Sequence, residues 1–188
     1  MTMKENKVYL DTNILSRIPN LDVSESIEND LDALTRLVEL DGINFVTSFK
    51  TKQEILKTPN KIKNYALRIV YGIMKKIPIY TVHISHGGAL GASALGEDAL
   101  GGAGWIEIDP LYENLNAIFD NDDAEHIFQA IRAGCDYFIT FDKKTILNRA
   151  LKNQNEIQKI CGMMRLVSPE DAILLIQKDR KQVNKSEN

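Results

Sequence analysis

Short β-prone runs alternate with amphipathic helical stretches along this chain, and that alternation restricts it to an α/β fold with a mainly parallel sheet. Val8-Tyr9-Leu10 stops at Asp11-Thr12-Asn13, residues that cap helices, so Ile14 to Ile18 opens a helix that Pro19-Asn20 ends. A longer helix is expected over Ser26 to Leu40, stopped by Asp41-Gly42, before a second strand at Ile43 to Thr47. Ser48 then caps a helix running through Glu54 to Lys57. The clearest helical period follows, with Ile62, Tyr65, Ala66, Ile69, Val70, Ile73 and Met74 on one stripe, which reads as a core face. Ile77 to Val82, with Pro78 near its start, reads as an edge strand.

In the second half, Leu111, Leu115, Ile118 and Phe119 suggest a helix after Pro110, and Asp122 to Ala133 forms another that Gly134 stops. A strand over Tyr137 to Thr140 ends at Phe141-Asp142, and a short helix is expected from Lys143 to about Leu151. Leu166-Val167 is a last brief strand. Ser168-Pro169-Glu170-Asp171 supplies a cap, a first-turn proline and first-turn acids for a helix over Ala172 to Gln177. The chain thus reads as one domain over 1–178, followed by a polar tail at 179–188 with no expected order. Seven of the eleven glycines fall between Gly87 and Gly104, so 84–105 reads as a flexible Gly/Ala-rich insertion. That run lacks the Gly-Lys-Ser/Thr of a phosphate-binding loop.

A net charge of −3 conceals a polarised chain. Between Lys50 and Lys76 lie eight bases (Lys50, Lys52, Lys57, Lys61, Lys63, Arg68, Lys75, Lys76) and one acid, Glu54. Phosphate binding needs local positive charge and not a positive total, so Lys50, Lys52 and Lys57 beside Glu54 are candidate nucleic-acid contacts. No apolar run approaches a membrane span and the first residues form no signal-peptide core, which makes a cytoplasmic location the expectation. Cys135 and Cys161 show no metal-ligand spacing and read as reduced, structural thiols.

In parallel sheets a ligand site lies outside the carboxyl ends of the strands. Asp11 follows the first strand directly, Asp142 follows the Tyr137 strand, and Glu54 lies in the helix after the second strand. Asp123 begins the helix that leads into the Tyr137 strand, and reaches the same edge only if that helix N-terminus points there. Four gathered carboxylates raise each other's pKa and call for a cation. Oxygen ligands suit Mg²⁺ or Mn²⁺, and one or two such ions, ~3.5–4 Å apart when paired, can activate water on a phosphodiester.

The motif spacing sharpens this. Val8-Tyr9-Leu10-Asp11-Thr12-Asn13 resembles the opening of PIN-domain nucleases, the fold of many toxins in bacterial toxin–antitoxin pairs. Val46-Thr47-Ser48 with Glu54-Ile55 is similar to that family's second motif, and Asp123-Ala124 through Asp136-Tyr137-Phe138-Ile139-Thr140-Phe141-Asp142 to its third and fourth. Leu166 to Glu170 is similar to its last strand and helix start. The resemblance implies a three-layer α/β sandwich and a metal-dependent endoribonuclease. It makes Asp11, Glu54, Asp123 and Asp142 catalytic metal ligands, with Asn13 and Thr140 orienting them. By analogy it also implies an RNA substrate, an antitoxin-like protein partner and a homodimer. The insertion and the length depart from the small toxin type, and Asp122 competes with Asp123 for the ligand position. Asp120 reads as a helix-entry acid, Asp136 as a turn residue, and His126 as a packing or hydrogen-bonding residue. The alternative is a PIN-like module that binds RNA or protein without cutting. An aspartyl phosphatase would want Asp-x-Asp where this chain has Asp11-Thr12-Asn13.

Overall fold

The computed structural model describes residues 5–18, 25–86 and 105–186. In chain order they form β1 (Asn6–Leu10), α1 (Thr12–Arg17), α2 (Glu25–Val38), β2 (Ile43–Thr47), α3 (Phe49–Leu56), α4 (Lys61–Ile73), β3 (Lys75–Lys76), β4 (His83–His86) and β5 (Trp105–Ile108). Then come α5 (Pro110–Asn116), α6 (Asn121–Arg132), β6 (Tyr137–Ile139), a π-helical turn (Lys143–Leu147), α7 (Asn148–Lys152), α8 (Gln154–Cys161), β7 (Arg165–Val167) and α9 (Pro169–Ser186). Five strands make an all-parallel sheet in the order β3-β2-β1-β6-β7. Because β1 leads to β2 on one side and pairs with β6 on the other, the strand order reverses at β1 and β6. That junction opens a crevice at their carboxyl ends.

Side-chain alternation along the strands builds a core on each face of the sheet. Val8, Leu10, Tyr137 and Ile139 pack with Ile14, Leu34, Leu37, Ile55, Leu67 and Ile176, drawn from α1, α2, α3, α4 and α9. Tyr9, Val46 and Phe138 point the other way, onto Leu115, Ile127, Phe128, Ile157 and Cys161 from α5, α6 and α8. The result is an α/β arrangement with helices on both sides of the parallel sheet, consistent with a three-layer sandwich. Gly134, at φ 65°, ends α6 in the left-handed region, where a Cβ would be strained although the space around it is open.

Several expectations change. The expected stripe on α4 divides: Ile62, Tyr65, Ile69 and Ile73 face outward, 81, 61, 69 and 83% exposed, while Val70 and Met74 turn to the core. Leu67 is buried with them, and Tyr71 also packs against the core. Periodicity says that one face is apolar but not which face turns inward, and α4 carries apolar residues on both. Asn64 settles the orientation by donating to Ile55 O at 2.6 Å, which holds that side of α4 against the end of α3. The edge strand is not Ile77 to Val82 but Lys75–Lys76, extended by Ile77 N donating to Thr47 O at 2.9 Å. Pro78 has no N–H with which to continue the ladder. Beyond it the Gln129 side chain binds both backbone groups of Tyr80, at 3.1 and 2.6 Å.

β4 and β5 then pair as a separate antiparallel ribbon. The insertion expected at 84–105 overlaps both: residues 84–86 and Trp105 are paired strand, and residues 87–104 lie outside the described residues. After Asp142 the chain makes a π-helical turn before α7, and α8 is a helix the sequence reading missed. The polar tail is helical as far as Ser186. No Gly or Pro follows Pro169, and α9 is tied down as far as Arg180. Asp179 accepts from Tyr137 Oη at 3.0 Å and pairs with Arg165 at 3.5 Å, while Arg180 donates to Asp41 O. Among the described residues, no helix is long and apolar enough to cross a membrane. Burial pushes both thiols, Cys135 and Cys161, up to about 12, which keeps them protonated and in the structural role expected of them.

Candidate active site

Asp11 is the N-cap of α1, extended at φ −66° and ψ 157°, so the chain turns from strand to helix with this carboxylate at the crevice. It is 5% exposed. Oδ1 accepts from Thr12 N at 2.6 Å, and Oδ2 accepts from Asn13 Nδ2 at 2.6 Å and Thr140 Oγ1 at 2.9 Å. Asn13 also donates to Thr140 Oγ1 at 2.7 Å and accepts from Phe141 N at 3.0 Å. Asn13 and Thr140 therefore stitch the end of β1 to the end of β6 and fix Asp11 between them. Burial raises the Asp11 pKa, and Glu54 raises it further, against the opposing field of His126 and the Thr140 and Thr12 hydrogen bonds.

Asp142 lies just beyond β6 and caps the π-helical turn, Oδ1 accepting from Thr145 N at 2.6 Å. Thr145 Oγ1 in turn donates to Asp123 Oδ2 at 3.0 Å, so one threonine links two of the acids. Asp123 sits in the first turn of α6, and its hydrogen bond from Thr145 brings it beside Asp142, beyond the end of β6. Burial raises its pKa to about 6, and the fields of Asp11, Asp142 and Asp120 add to the rise. Its neighbour Asp122 turns away to bind Lys50 at 2.7 Å. Of the two adjacent acids, then, Asp123 is the one that shares the electrostatic field of Asp11 and Asp142. Asp120 faces Arg149 at 2.9 Å.

Glu54 reaches the same region from α3 but is engaged elsewhere. Its Oε1 lies 3.0 Å from His126 Nε2. His126 is 2% exposed, and its Nδ1 is 2.7 Å from Tyr9 Oη, itself 2.6 Å from Ser48 Oγ. Burial alone would keep this imidazole neutral. The hydrogen bond it donates to Glu54 and the charges of Asp11 and Glu54 outweigh burial and raise its pKa. Burial likewise works against the Glu54 carboxylate, but His126 prevails and lowers its pKa. Ser48 makes no side-chain cap on α3; its hydroxyl is used by Tyr9. Tyr9→Phe should cost about 1–2 kcal/mol by leaving His126 Nδ1 without its buried partner. Urea denaturation at pH 7 measures it, and an unchanged midpoint would contradict this network.

Nothing in residue type alone marks Thr145 or the Tyr9–His126–Glu54 chain. The Asp142-x-x-Thr145 spacing is the one usable signal, since a strand-end Asp three residues before a Thr can cap it. Of the lysines expected to grip phosphate, Lys50 is held by Asp122 and by Glu125 at 2.6 Å, and Lys52 lies over the Phe49 ring. Other bases stand at the site itself. A cleft of about 390 Å³ beside Asp142 is lined by Asn13, Arg17, Asp30, Phe141, Lys143 and Lys144.

The four acids come from four separated segments and meet at one edge of the sheet. Their fields couple Asp123 to Asp11 and Asp142, and Asp11 to Glu54. As placed, however, no group of three His, Cys, Asp or Glu side chains among the described residues converges as a metal-ligand set. Asp142 is turned to Thr145 and Glu54 to His126, so the donors are gathered but not aimed at one point. No family model matches this chain, and no curated protein matches it.

Proposed function

We propose that this chain is a metal-dependent nuclease of the PIN-domain type that hydrolyses phosphodiester bonds in RNA. One observation carries the reading: Asp123 is held half-buried beside Asp11 and Asp142, so that burial first, and then the charges of those acids, push its pKa to about 6. A fold has little structural reason to hold like charges together, and a hard divalent cation is the natural compensation. Mg²⁺ or Mn²⁺ would be held by Asp11, Asp123 and Asp142, with Glu54 joining them on release from His126. When bound, the metal supplies activation of a water and charge stabilisation at phosphorus. Asn13 and Thr140 keep the Asp11 carboxylate in one orientation, and Lys143, Lys144 and Arg17 flank the cleft through which a phosphate backbone would pass.

A PIN-like module that binds RNA without cutting it is the second reading, favoured by the pairing of Glu54 with His126 rather than with the other acids. Labelled single-stranded RNA and DNA incubated with Mn²⁺, with Mg²⁺ and with chelator separate the two. Metal-dependent cleavage of RNA supports the nuclease. Binding without cleavage in any metal supports the module, and cleavage that persists in chelator overturns both.

A further inference from the structure

We propose that the outer face of α4 is a docking surface for an acidic amphipathic helix of a partner protein. Scattered exposed apolar residues are ordinary, but a continuous row of large ones is not. Ile62, Tyr65, Ile69 and Ile73, each at least 61% exposed, occupy that row. At about 100° per residue they fall within an arc of roughly 80°, over ~16 Å of helix. Their spacing of three, four and four residues is the seam that a second helix reads with its own i, i+3, i+4 and i+7 side chains.

Charge selects the occupant. From Lys57 to Val82 there is no acid, and there are six bases: Lys57, Lys61, Lys63, Arg68, Lys75 and Lys76. Lys61 and Arg68 lie next to the stripe along its Tyr65 edge by the same helical geometry. A second copy of this chain would bring such bases against their equivalents, which works against self-pairing. A helix with an apolar seam and Glu or Asp on its flanks satisfies both the stripe and its rim. Because α4 packs onto α3 and the core through its opposite side, occupation of the outer face requires no rearrangement of the domain. It is also independent of whether the acidic site cleaves RNA.

The probe is a fluorescein-labelled synthetic helix of about 18 residues, roughly 27 Å long, with Leu at its seam positions and Glu on its flanks. A control peptide carries Lys in place of every Glu. With the full chain, fluorescence anisotropy should show the Glu peptide binding at least about ten-fold tighter than the Lys peptide, and losing affinity as salt is raised. Ile69→Glu should weaken binding about ten-fold or more while Ile69→Leu retains it. Circular dichroism should show both variants folded, since residue 69 is exposed. Amide shifts in the ¹H–¹⁵N spectrum should change on the outer positions of α4. Equal binding of both peptides, no binding of either, or shifts confined to another element overturns the proposal. So does a dimer in sedimentation that Ile69→Glu dissociates, because the face would then belong to a second copy.

Discussion

Asp11→Asn is expected to abolish metal-dependent RNA cleavage while leaving the fold intact. The carboxylate is the most deeply placed of the four acids, and it is held by three donors from Thr12, Asn13 and Thr140. Loss of one ligand charge from a site that stabilises a phosphoryl transition state removes about 4 kcal/mol, or roughly 10³-fold in rate. Stability should move by no more than about 1 kcal/mol. The amide brings a donor up against the Asn13 donor, and this offsets the relief of removing a buried charge. The measurement pairs initial cleavage rates in Mn²⁺ with a urea melt. Cleavage within a factor of about three of the parent would show that this carboxylate is only the cap of α1. A collapse of stability alongside activity would leave Thr140→Val, which loses one donor to Asp11, as the finer probe of the same site.

The second large effect concerns Asp123, whose carboxyl is raised from 3.8 to about 6. Below about pH 3 it is protonated in folded and unfolded chains alike and contributes nothing to stability. As the pH climbs towards 6 the unfolded chain ionises first, so the folded state loses ground. Above about 6 both forms are ionised and the full cost remains. Discounted for water at this half-buried side chain, that cost is about 1 kcal/mol. Asp123→Asn should therefore be more stable than the parent at pH 8 and no different at about pH 3. Mn²⁺ should reverse the order. At ~100 times its Kd it would stabilise the parent by about 2.7 kcal/mol, and the variant by half of that or less. Thermal melts at both pH values, with and without Mn²⁺, read out each part. Equal stabilisation of parent and variant by the metal would remove Asp123 from any ligand set.

The strand-end acids were legible because local chemistry marks them. A β-prone run that stops at Asp-Thr-Asn must turn there, and the Asp11 side chain is left at the carboxyl edge. Asp142 follows Tyr137–Ile139 by the same logic. The pairing of Lys50 was not legible, because charge along a chain says nothing of what the charge meets. Asp122 and Glu125, some seventy residues away, had to be folded against Lys50 before its engagement could be seen. His126 was read in the right class, as a hydrogen-bonding residue, but its partners Tyr9 and Glu54 come from β1 and α3 and share no sequence spacing with it.

By itself the sequence determined the α/β class, the parallel pairing implied by alternating elements, and the acids at the ends of β1 and β6, all through short-range periodicity and capping. Only the tertiary structure decided that the apolar row of α4 faces outward. It also turned Asp123, rather than Asp122, towards Asp11 and Asp142, and tied Glu54 to a buried histidine. Each of those outcomes is a choice between two faces or two neighbours that are locally equivalent. What separates them is the packing of segments distant in the chain, which no local pattern encodes.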